Sequence, residues 1–144
     1  MKVDKDFKVG DNVLYIHELS NGLDISNSTI VSITNEWCVL ENEDMPYRYL
    51  CFYNLEELKD YLEHIIFYLT KNFAKKPSGL CKLYLTTGNK GLILGEGFYD
   101  EANEEQALID ENILISKNLC FWNLNQMANY IETILNNFIN NITK

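Results

Sequence analysis

The feature that most constrains this chain is an internal repeat. Pairing residues 10–75 with 79–144 without gaps gives 16 identities in 66 positions, all in the same order. The longest match sets LCFYNL at 50–55 against LCFWNL at 119–124. Self-similarity at a fixed offset is the signature of a structural unit used more than once. The sequence therefore predicts two tandem copies, at 10–75 and 79–144, within a single domain spanning residues 1–144. We call two residues matched when this alignment pairs them.

Each copy ends in a predicted helix that carries the same start signal. Asn54 is followed three residues later by Glu57, and Asn123 is followed at the same spacing by Gln126. This is the capping-box pattern, in which two side chains satisfy backbone N–H groups at a helix start. Apolar residues then recur at helical spacing for about five turns. A linker at 75–79, which contains Pro77, separates the first helix from the second copy.

Upstream of each helix, apolar and polar residues alternate in short runs bounded by turn-forming residues, which predicts strands. These lie at 12–18, 26–34, 36–41 and 46–53 in the first copy, and at 81–87, 91–99, 105–110 and 113–122 in the second. The unit is therefore ββββα. We expect an α+β fold in which both units form an antiparallel sheet with the two helices packed on one face.

The charge of the chain restricts its partners. The net charge is −9, and residues 1–72 carry 13 acidic and 6 basic groups, against 8 and 6 in residues 73–144. Such a surface repels phosphate backbones, so direct nucleic-acid binding is not expected, whereas a basic protein is attracted. No apolar run is long enough for a membrane span, and no export signal is visible. The four cysteines form no C-x-x-C pair, which indicates reduced core thiols and a cytoplasmic protein.

Strand alternation predicts an open sheet face that carries tyrosines and is bordered by acidic hairpin tips. Aromatic anchors surrounded by charges are typical of protein interfaces. The predicted partner-binding residues are Tyr15, Tyr47, Tyr49, Tyr84, Glu41, Glu43, Asp44, Asp110 and Glu111.

No catalytic or metal-binding motif is visible. His17 and His64 are the only histidines, and neither has a second histidine or a cysteine at metal-ligand spacing. Nothing in the sequence pairs a histidine with a nucleophile. The sequence therefore predicts a non-enzymatic protein without a cofactor or metal.

These observations favour an acidic binding protein that inhibits a basic partner, such as an immunity protein that neutralises a toxin nuclease. A phage-encoded inhibitor of a nucleic-acid-targeting defence complex has the same features. Two other classes fit the sequence: a small-ligand sensor or enzyme with a site at the seam between the copies, and a chaperone or adaptor for a secreted partner. The sequence does not define the oligomeric state.

Overall fold

A computed structural model describes residues 6–72 and 81–142, and within them the chain is an α+β protein with two antiparallel sheets and two helices. The linker predicted at 75–79, the C-terminal ends of both predicted copies and the first two residues of the second copy lie outside the described residues. We call residues 12–72 the first unit and residues 81–142 the second unit.

The order of elements is the same in both units, except that the second unit has one additional strand before its 3-10 turn. The first unit contains β1 (Asn12–Leu19), β2 (Gly22–Ile33), β3 (Cys38–Leu40), a 3-10 turn (Arg48–Leu50), β4 (Cys51–Phe52) and α1 (Leu55–Asn72). The second contains β5 (Cys81–Gly88), β6 (Gly91–Glu101), β7 (Gln106–Ile109), β8 (Ile113–Ser116), a 3-10 turn (Lys117–Leu119), β9 (Cys120–Phe121) and α2 (Leu124–Ile142). The first strands, the 3-10 turns and the helices of the two units all begin at matched residues, which is consistent with a tandem ββββα arrangement.

The strands predicted at 46–53 and 113–122 are not continuous. In each unit a 3-10 turn interrupts this segment, and only two residues after the turn pair with the first strand of the unit. The turn removes the strict alternation of faces that a strand imposes. Leu50, Cys51 and Phe52 are consequently all buried, although they are consecutive.

The single shared sheet expected from the sequence is also wrong. The strands form two sheets, with the order β3-β2-β1-β4 in the first unit and β8-β7-β6-β5-β9 in the second. The edge strands β3, β4, β8 and β9 have only two to four residues. Short edges offer few backbone groups for pairing with another sheet, so each sheet remains within its own unit.

The main hydrophobic core joins both units. Buried side chains from the two sheets and from both helices form one cluster, which includes Ile16, Phe52, Leu62, Leu83 and Ile131. A second, smaller cluster fills the other face of the first sheet around Val13, Tyr15 and Leu40. The first sheet is therefore covered on both faces, since adjacent residues Tyr15 and Ile16 are 0% and 1% exposed.

Both predicted helix caps are formed. The Asn54 side-chain oxygen accepts a hydrogen bond from Glu57 N at 2.9 Å, and that of Asn123 accepts from Gln126 N at 3.0 Å. In α2, the Gln126 side chain also accepts from Trp122 N at 2.9 Å. These bonds satisfy backbone donors that have no partner within the helix.

One tyrosine in each helix connects that helix to the sheet of the other unit. The Tyr61 ring of α1 packs on Phe52 of its own unit with centroids 5.2 Å apart, while its hydroxyl accepts a hydrogen bond from Leu92 N of β6 at 2.8 Å. Tyr130 of α2 is the matched residue and does the same in reverse, accepting from Leu23 N of β2 at 2.8 Å. We call this reciprocal pair the tyrosine clasp.

A glycine at the start of each recipient strand makes the clasp possible. Gly22 has φ +136° and Gly91 has φ +118°, a region that side-chain-bearing residues rarely adopt. A Cβ at Gly22 would collide with the Tyr130 hydroxyl, and one at Gly91 would collide with the Tyr61 hydroxyl. Glycine therefore serves both the turn and the close approach of the tyrosine from the opposite unit.

We expect Tyr61→Phe and Tyr130→Phe each to lower the free energy of unfolding by about 1–3 kcal/mol, because each substitution keeps the ring but leaves a backbone N–H at the unit boundary without its acceptor. Urea denaturation measures the change. Tyr47→Phe is the control, because among the described residues its hydroxyl has no hydrogen-bond partner. It should change the free energy of unfolding by less than about 0.5 kcal/mol. Equal effects in all three variants would show that the clasp contributes nothing.

Candidate functional site at the seam between the units

The predicted open tyrosine face does not exist as one surface. Tyr15 is fully buried inside the first sheet, so its assignment to an exposed binding face is wrong. The face that alternation placed outside is filled by residues of the rolled first sheet and by Phe7. Tyr84 is half-buried and its ring lies over Gly95 on the neighbouring strand, while Tyr47 is half-buried and packs against Trp37 with ring centroids 5.0 Å apart.

Tyr49 is 41% exposed, but it lies on the 3-10 turn and not on a strand. The acidic tips, in contrast, lie at hairpin turns. Glu41 and Glu43 are exposed, and Asp110 and Glu111 form an exposed two-residue turn with φ of 52° and 59°. Asp110 also accepts a hydrogen bond from Phe98 N at 2.8 Å, which fixes the turn against β6.

Asp44 belongs to the predicted acidic tip but turns inward. Glu43 has φ 75°, and the Asn42 side chain accepts a hydrogen bond from Asp44 N at 3.2 Å. This local geometry directs the Asp44 carboxylate to the hydroxyl of buried Tyr15, which donates to it. The Asn42 amide donates to the same hydroxyl at 2.8 Å, so Tyr15 is both donor and acceptor.

His17 extends this arrangement into a polar network at one end of the first sheet. Its Nε2 atom lies 3.2 Å from Ser26 Oγ and 3.4 Å from the Asp24 carboxylate, and its Nδ1 atom lies 3.8 Å from the Asp44 carboxylate. The imidazole also packs against Tyr15 with ring centroids 5.0 Å apart. The polar network consists of Tyr15, His17, Asp24, Ser26, Asn42 and Asp44.

The pairing of β1 with β2 places these side chains together. His17 is directly opposite Asp24, and Tyr15 is directly opposite Ser26. Directly opposite residues on an antiparallel pair share a face and lie within interaction distance. These pairs could be recognised only from the register of the two strands, because in the sequence the members of each pair are separated by several strand and turn residues.

The polar network is confined to the first unit. The residues matched with His17, Asp24 and Ser26 are Thr86, Ile93 and Gly95, and those matched with Asn42 and Asp44 are Glu111 and Ile113. Tyr15 alone has a counterpart of the same type, Tyr84. The first two strands of the second unit form without the residues matched with His17, Asp24 and Ser26, so that hairpin does not require them.

A cleft of about 310 Å³ lies next to the polar network, at the seam between the two units. We call it the seam cleft. Thr87 of the second unit lines one side, and the remaining lining comes from the end of β1 and from the loop after β3. The Glu18 carboxylate spans the seam, accepting from Thr86 Oγ1 at 2.5 Å and from Thr87 N at 3.1 Å. The lining residues are Ile16, His17, Glu18, Leu19, Asp44, Met45, Pro46, Tyr47 and Thr87.

The carboxylates around the seam cleft have no lysine or arginine partner within the described residues. Glu18 accepts from threonine groups, Asp24 from Ser26 at 3.3 Å, and Asp44 from Tyr15 and Asn42, with His17 as the only basic neighbour. By comparison, Glu101 in the second unit pairs with Lys117 at 3.5 Å. The cleft therefore carries negative charge that neighbouring cations do not neutralise.

The contact between His17 and Ser26 resembles a base–nucleophile pair, which the sequence did not suggest. However, the Ser26 hydroxyl donates to Asp24, whose carboxylate also approaches the imidazole. A general base has to accept the proton of its nucleophile. Because the Ser26 hydroxyl has a single proton, a bond donated to Asp24 leaves none for the imidazole.

Burial and the hydrogen bond to Asp44 together raise the pKa of Tyr15 to about 12. The phenol therefore stays protonated at neutral pH and continues to donate to the carboxylate. Asp44 is held in place by this donor and by Asn42, which reduces the freedom that the carboxylate would lose on binding a cation.

Across residues 6–72 and 81–142, no group of three or more histidine, cysteine, aspartate or glutamate side chains is arranged to hold a metal ion. Neither helix, over its described length, is long and apolar enough to cross a membrane. All four cysteines are thiols, and Cys38 and Cys51 are buried. No protein-family model, curated protein or solved structure matches the chain.

We expect the stabilising contribution of Tyr15 to be lost at alkaline pH. Its pKa is raised in the folded protein, so the contribution is complete below the unfolded value of about 10 and disappears as pH rises toward about 12. The difference in free energy of unfolding between the wild type and Tyr15→Phe should shrink by up to about 2–3 kcal/mol over that interval. Denaturant titrations at a series of pH values measure it.

Asp44→Asn provides the control for the cause of this shift. Removing the carboxylate should move the alkaline loss of stability to lower pH, because the hydrogen bond to Asp44 and its charge both favour the protonated phenol. A wild type and a Tyr15→Phe variant that differ by a constant amount between pH 9 and 12 would contradict a raised pKa at this position.

Proposed function

We propose that this chain is an acidic, non-enzymatic binding protein that inhibits a basic protein partner through the seam cleft, acting in the cytoplasm. The observation that carries the proposal is the set of carboxylates in the cleft, Glu18 and Asp44, and in the adjoining polar network, Asp24, held by neutral donors and one imidazole. Such carboxylates attract a cation, because no lysine or arginine of the described chain neutralises them.

The lining of the seam cleft fits the side chain of a lysine or arginine. Leu19, Met45 and Pro46 offer apolar surface for the aliphatic stem. Asp44 and Glu18 offer carboxylate oxygens for the charged head. Long cationic side chains bind in this way, with the stem on apolar surface and the head in a charge-assisted hydrogen bond.

Charge farther from the cleft supports capture of the partner. The net charge is −9, and the exposed Glu41 and Glu43 belong to the same loop as Asp44. Complementary fields accelerate association and fix the orientation of the encounter. A rapid encounter suits an inhibitor that has to reach its target before damage occurs.

A toxin nuclease is the partner class that this chemistry favours. The surface of a nuclease that binds phosphate groups is basic, and carboxylates presented on a fixed scaffold occupy such a surface as phosphates do. An immunity protein is the corresponding role. A phage-encoded inhibitor of a nucleic-acid-targeting defence complex would act through the same contacts, and the identity of the captured partner distinguishes the two.

We also infer that the two units are copies of one ββββα unit with divided roles. The agreement between the elements of the two units at matched residues supports this inference. The first unit holds the polar network, whereas the second supplies Thr86 and Thr87 to the seam and half of the tyrosine clasp.

We expect neutralisation of the seam cleft to weaken partner binding by about 10- to 100-fold, as one or two charge-assisted contacts are lost. The test variant is Glu18→Gln/Asp24→Asn/Asp44→Asn. Tagged wild-type protein first captures its partner from cells of the source organism at low and high salt, and mass spectrometry identifies it. The affinity of both proteins for the purified partner is then measured by calorimetry at several salt concentrations.

The control variant is Asp100→Asn/Glu104→Gln/Glu132→Gln, which removes the same amount of charge from exposed positions of the second unit. A basic partner that binds the control with nearly wild-type affinity, but binds the cleft variant weakly, supports the proposal. Equal losses in both variants would show that only overall charge matters. A partner that is not basic, or a complex insensitive to salt, would contradict inhibition through the cleft.

A further inference from the structure

The edge of β6 that faces away from β5 has no neighbouring strand over its middle part. β6 pairs with β5 along Gly91–Phe98, but it pairs with β7 only along Tyr99–Glu101. Before Tyr99, the described chain therefore supplies a strand on one side of β6 only. We call the part of this edge between Leu92 and Phe98 the open edge.

Hydrogen bonds at the two ends of the open edge show which backbone groups face outward. Leu92 N donates to the tyrosine clasp at 2.8 Å, and Phe98 O accepts from Asp110 N at 2.9 Å. On an antiparallel strand, every second residue directs both its N–H and its C=O away from the partner strand. Leu94 and Glu96 have the same spacing and therefore face outward too. Within the described chain these four backbone groups have no hydrogen-bond partner.

A cavity of about 250 Å³ lies beside the open edge. Its lining is formed by His64, Ile65 and Tyr68 of α1 and by Leu92 and Leu94 of β6. Directly opposite residues on paired strands share a face of the sheet. A residue of an added strand that lies opposite Leu94 would therefore direct its side chain toward this cavity. The mainly apolar lining suits an aliphatic side chain.

The matched edge of β2 in the first unit is less accessible. α2 lies close along β2, whereas α1 approaches β6 at few positions. Ile25, which is matched with Leu94, is consequently buried, while Leu94 is half-buried. Tyr68 of the cavity is matched with Asn137, so the two helices also differ in the side chains that they offer there. An added strand is therefore accommodated better at β6.

Carboxylates lie on both faces of the sheet at the open edge. Glu96 is exposed and shares the face of Leu94, while the Asp110 carboxylate lies beside Gly97 on the opposite face. Within the described chain, Glu96 has no lysine or arginine partner. Opposite charges on directly opposite residues stabilise a strand pair, so a basic residue fits opposite Glu96. A second copy of this chain would instead bring a further net charge of −9 to the same edge.

We propose that the open edge binds an extended segment of a partner protein by antiparallel strand addition, with an aliphatic residue opposite Leu94 and a lysine or arginine opposite Glu96. In this mode of recognition, backbone hydrogen bonds give affinity and pockets for alternate side chains give specificity. Because antiparallel strands run in opposite directions, the basic residue precedes the aliphatic residue by two positions. The open edge lies outside the seam cleft, so this inference goes beyond the proposed function and does not depend on it.

A synthetic peptide tests the inference with the full chain. The probe is acetyl-Ser-Thr-Lys-Thr-Ile-Thr-Ser-amide, titrated to millimolar concentration while amide NMR spectra of the protein are recorded. The signals of Leu94 and Glu96 should shift. Methylation of the isoleucine nitrogen of the probe should weaken binding by about tenfold, because the hydrogen bond to Leu94 O is lost. Methylation of the preceding threonine nitrogen is the control and should have little effect, because that N–H points away from β6.

Glu96→Pro makes the corresponding change in the protein. Proline is tolerated where the N–H of a strand faces outward, so this variant should fold and should bind the probe at least about tenfold more weakly. Asn27→Pro alters the matched outward-facing position of β2 and should bind like the wild type. Circular dichroism and thermal unfolding check both folds. Glu96→Gln keeps the N–H, so it should still bind the probe but lose the preference for lysine over glutamate in it.

Several outcomes would overturn the assignment. They are a probe that does not bind, binding that survives methylation of the isoleucine nitrogen, and equal losses in Glu96→Pro and Asn27→Pro. A dimer of the free protein in analytical ultracentrifugation that Glu96→Pro abolishes would also overturn it, because the occupant would then be a second copy. The triple variant of the seam cleft should bind the probe normally, so failure of this inference is distinguishable from failure of the proposed function.

Discussion

The shared hydrophobic core, together with the hydrogen bonds of the tyrosine clasp, joins the two units. Neither sheet pairs with the other in the described chain, so backbone pairing does not hold the units together. Each helix instead reaches the first residues of the second strand of the opposite unit, through Tyr61 in one direction and Tyr130 in the other. The clasp closes over one continuous hydrophobic core, and the seam cleft is defined by the same junction. A loss of the junction would therefore separate Glu18 from Thr87 and open the cleft.

A comparison of the two units separates the residues that both of them have from the residues that only one of them has. Residues that occur in both units explain the fold: Gly22 and Gly91 admit the clasp, and Asn54 and Asn123 cap the helices. Residues that occur in only one unit are not needed for the strands and turns that both units form. The seam cleft is lined mostly by residues of this second kind, and most of them belong to the first unit, which also carries most of the negative charge.

The sequence predicted the elements well where a residue's role is local. The β5 strand, predicted at 81–87, spans Cys81–Gly88, and both capping asparagines accept the expected bonds, because turn and cap chemistry depends on residues three or four positions apart. Prediction failed where a role depends on distant residues. The alternation of residues along β1 assigned Tyr15 to an open face, because alternation does not reveal that other side chains cover both faces of the sheet. It also extended a strand through Arg48–Leu50, where a 3-10 turn changes the direction of the chain. The polar network was missed for the same reason, since its members meet only through the register of β1 and β2.

The inward turn of Asp44 changes what an acidic loop can do. A carboxylate on a free hairpin tip attracts cations without selecting their position, and it loses side-chain freedom when it binds one. Asp44 is instead held by Tyr15 and Asn42 and lies beside His17, while its neighbours Glu41 and Glu43 remain exposed. The same loop thus combines exposed carboxylates, whose charge acts at long range, with one carboxylate that is fixed at the cleft. The donor to Asp44 is a phenol whose pKa is raised to about 12, so it stays protonated and keeps this bond at neutral pH.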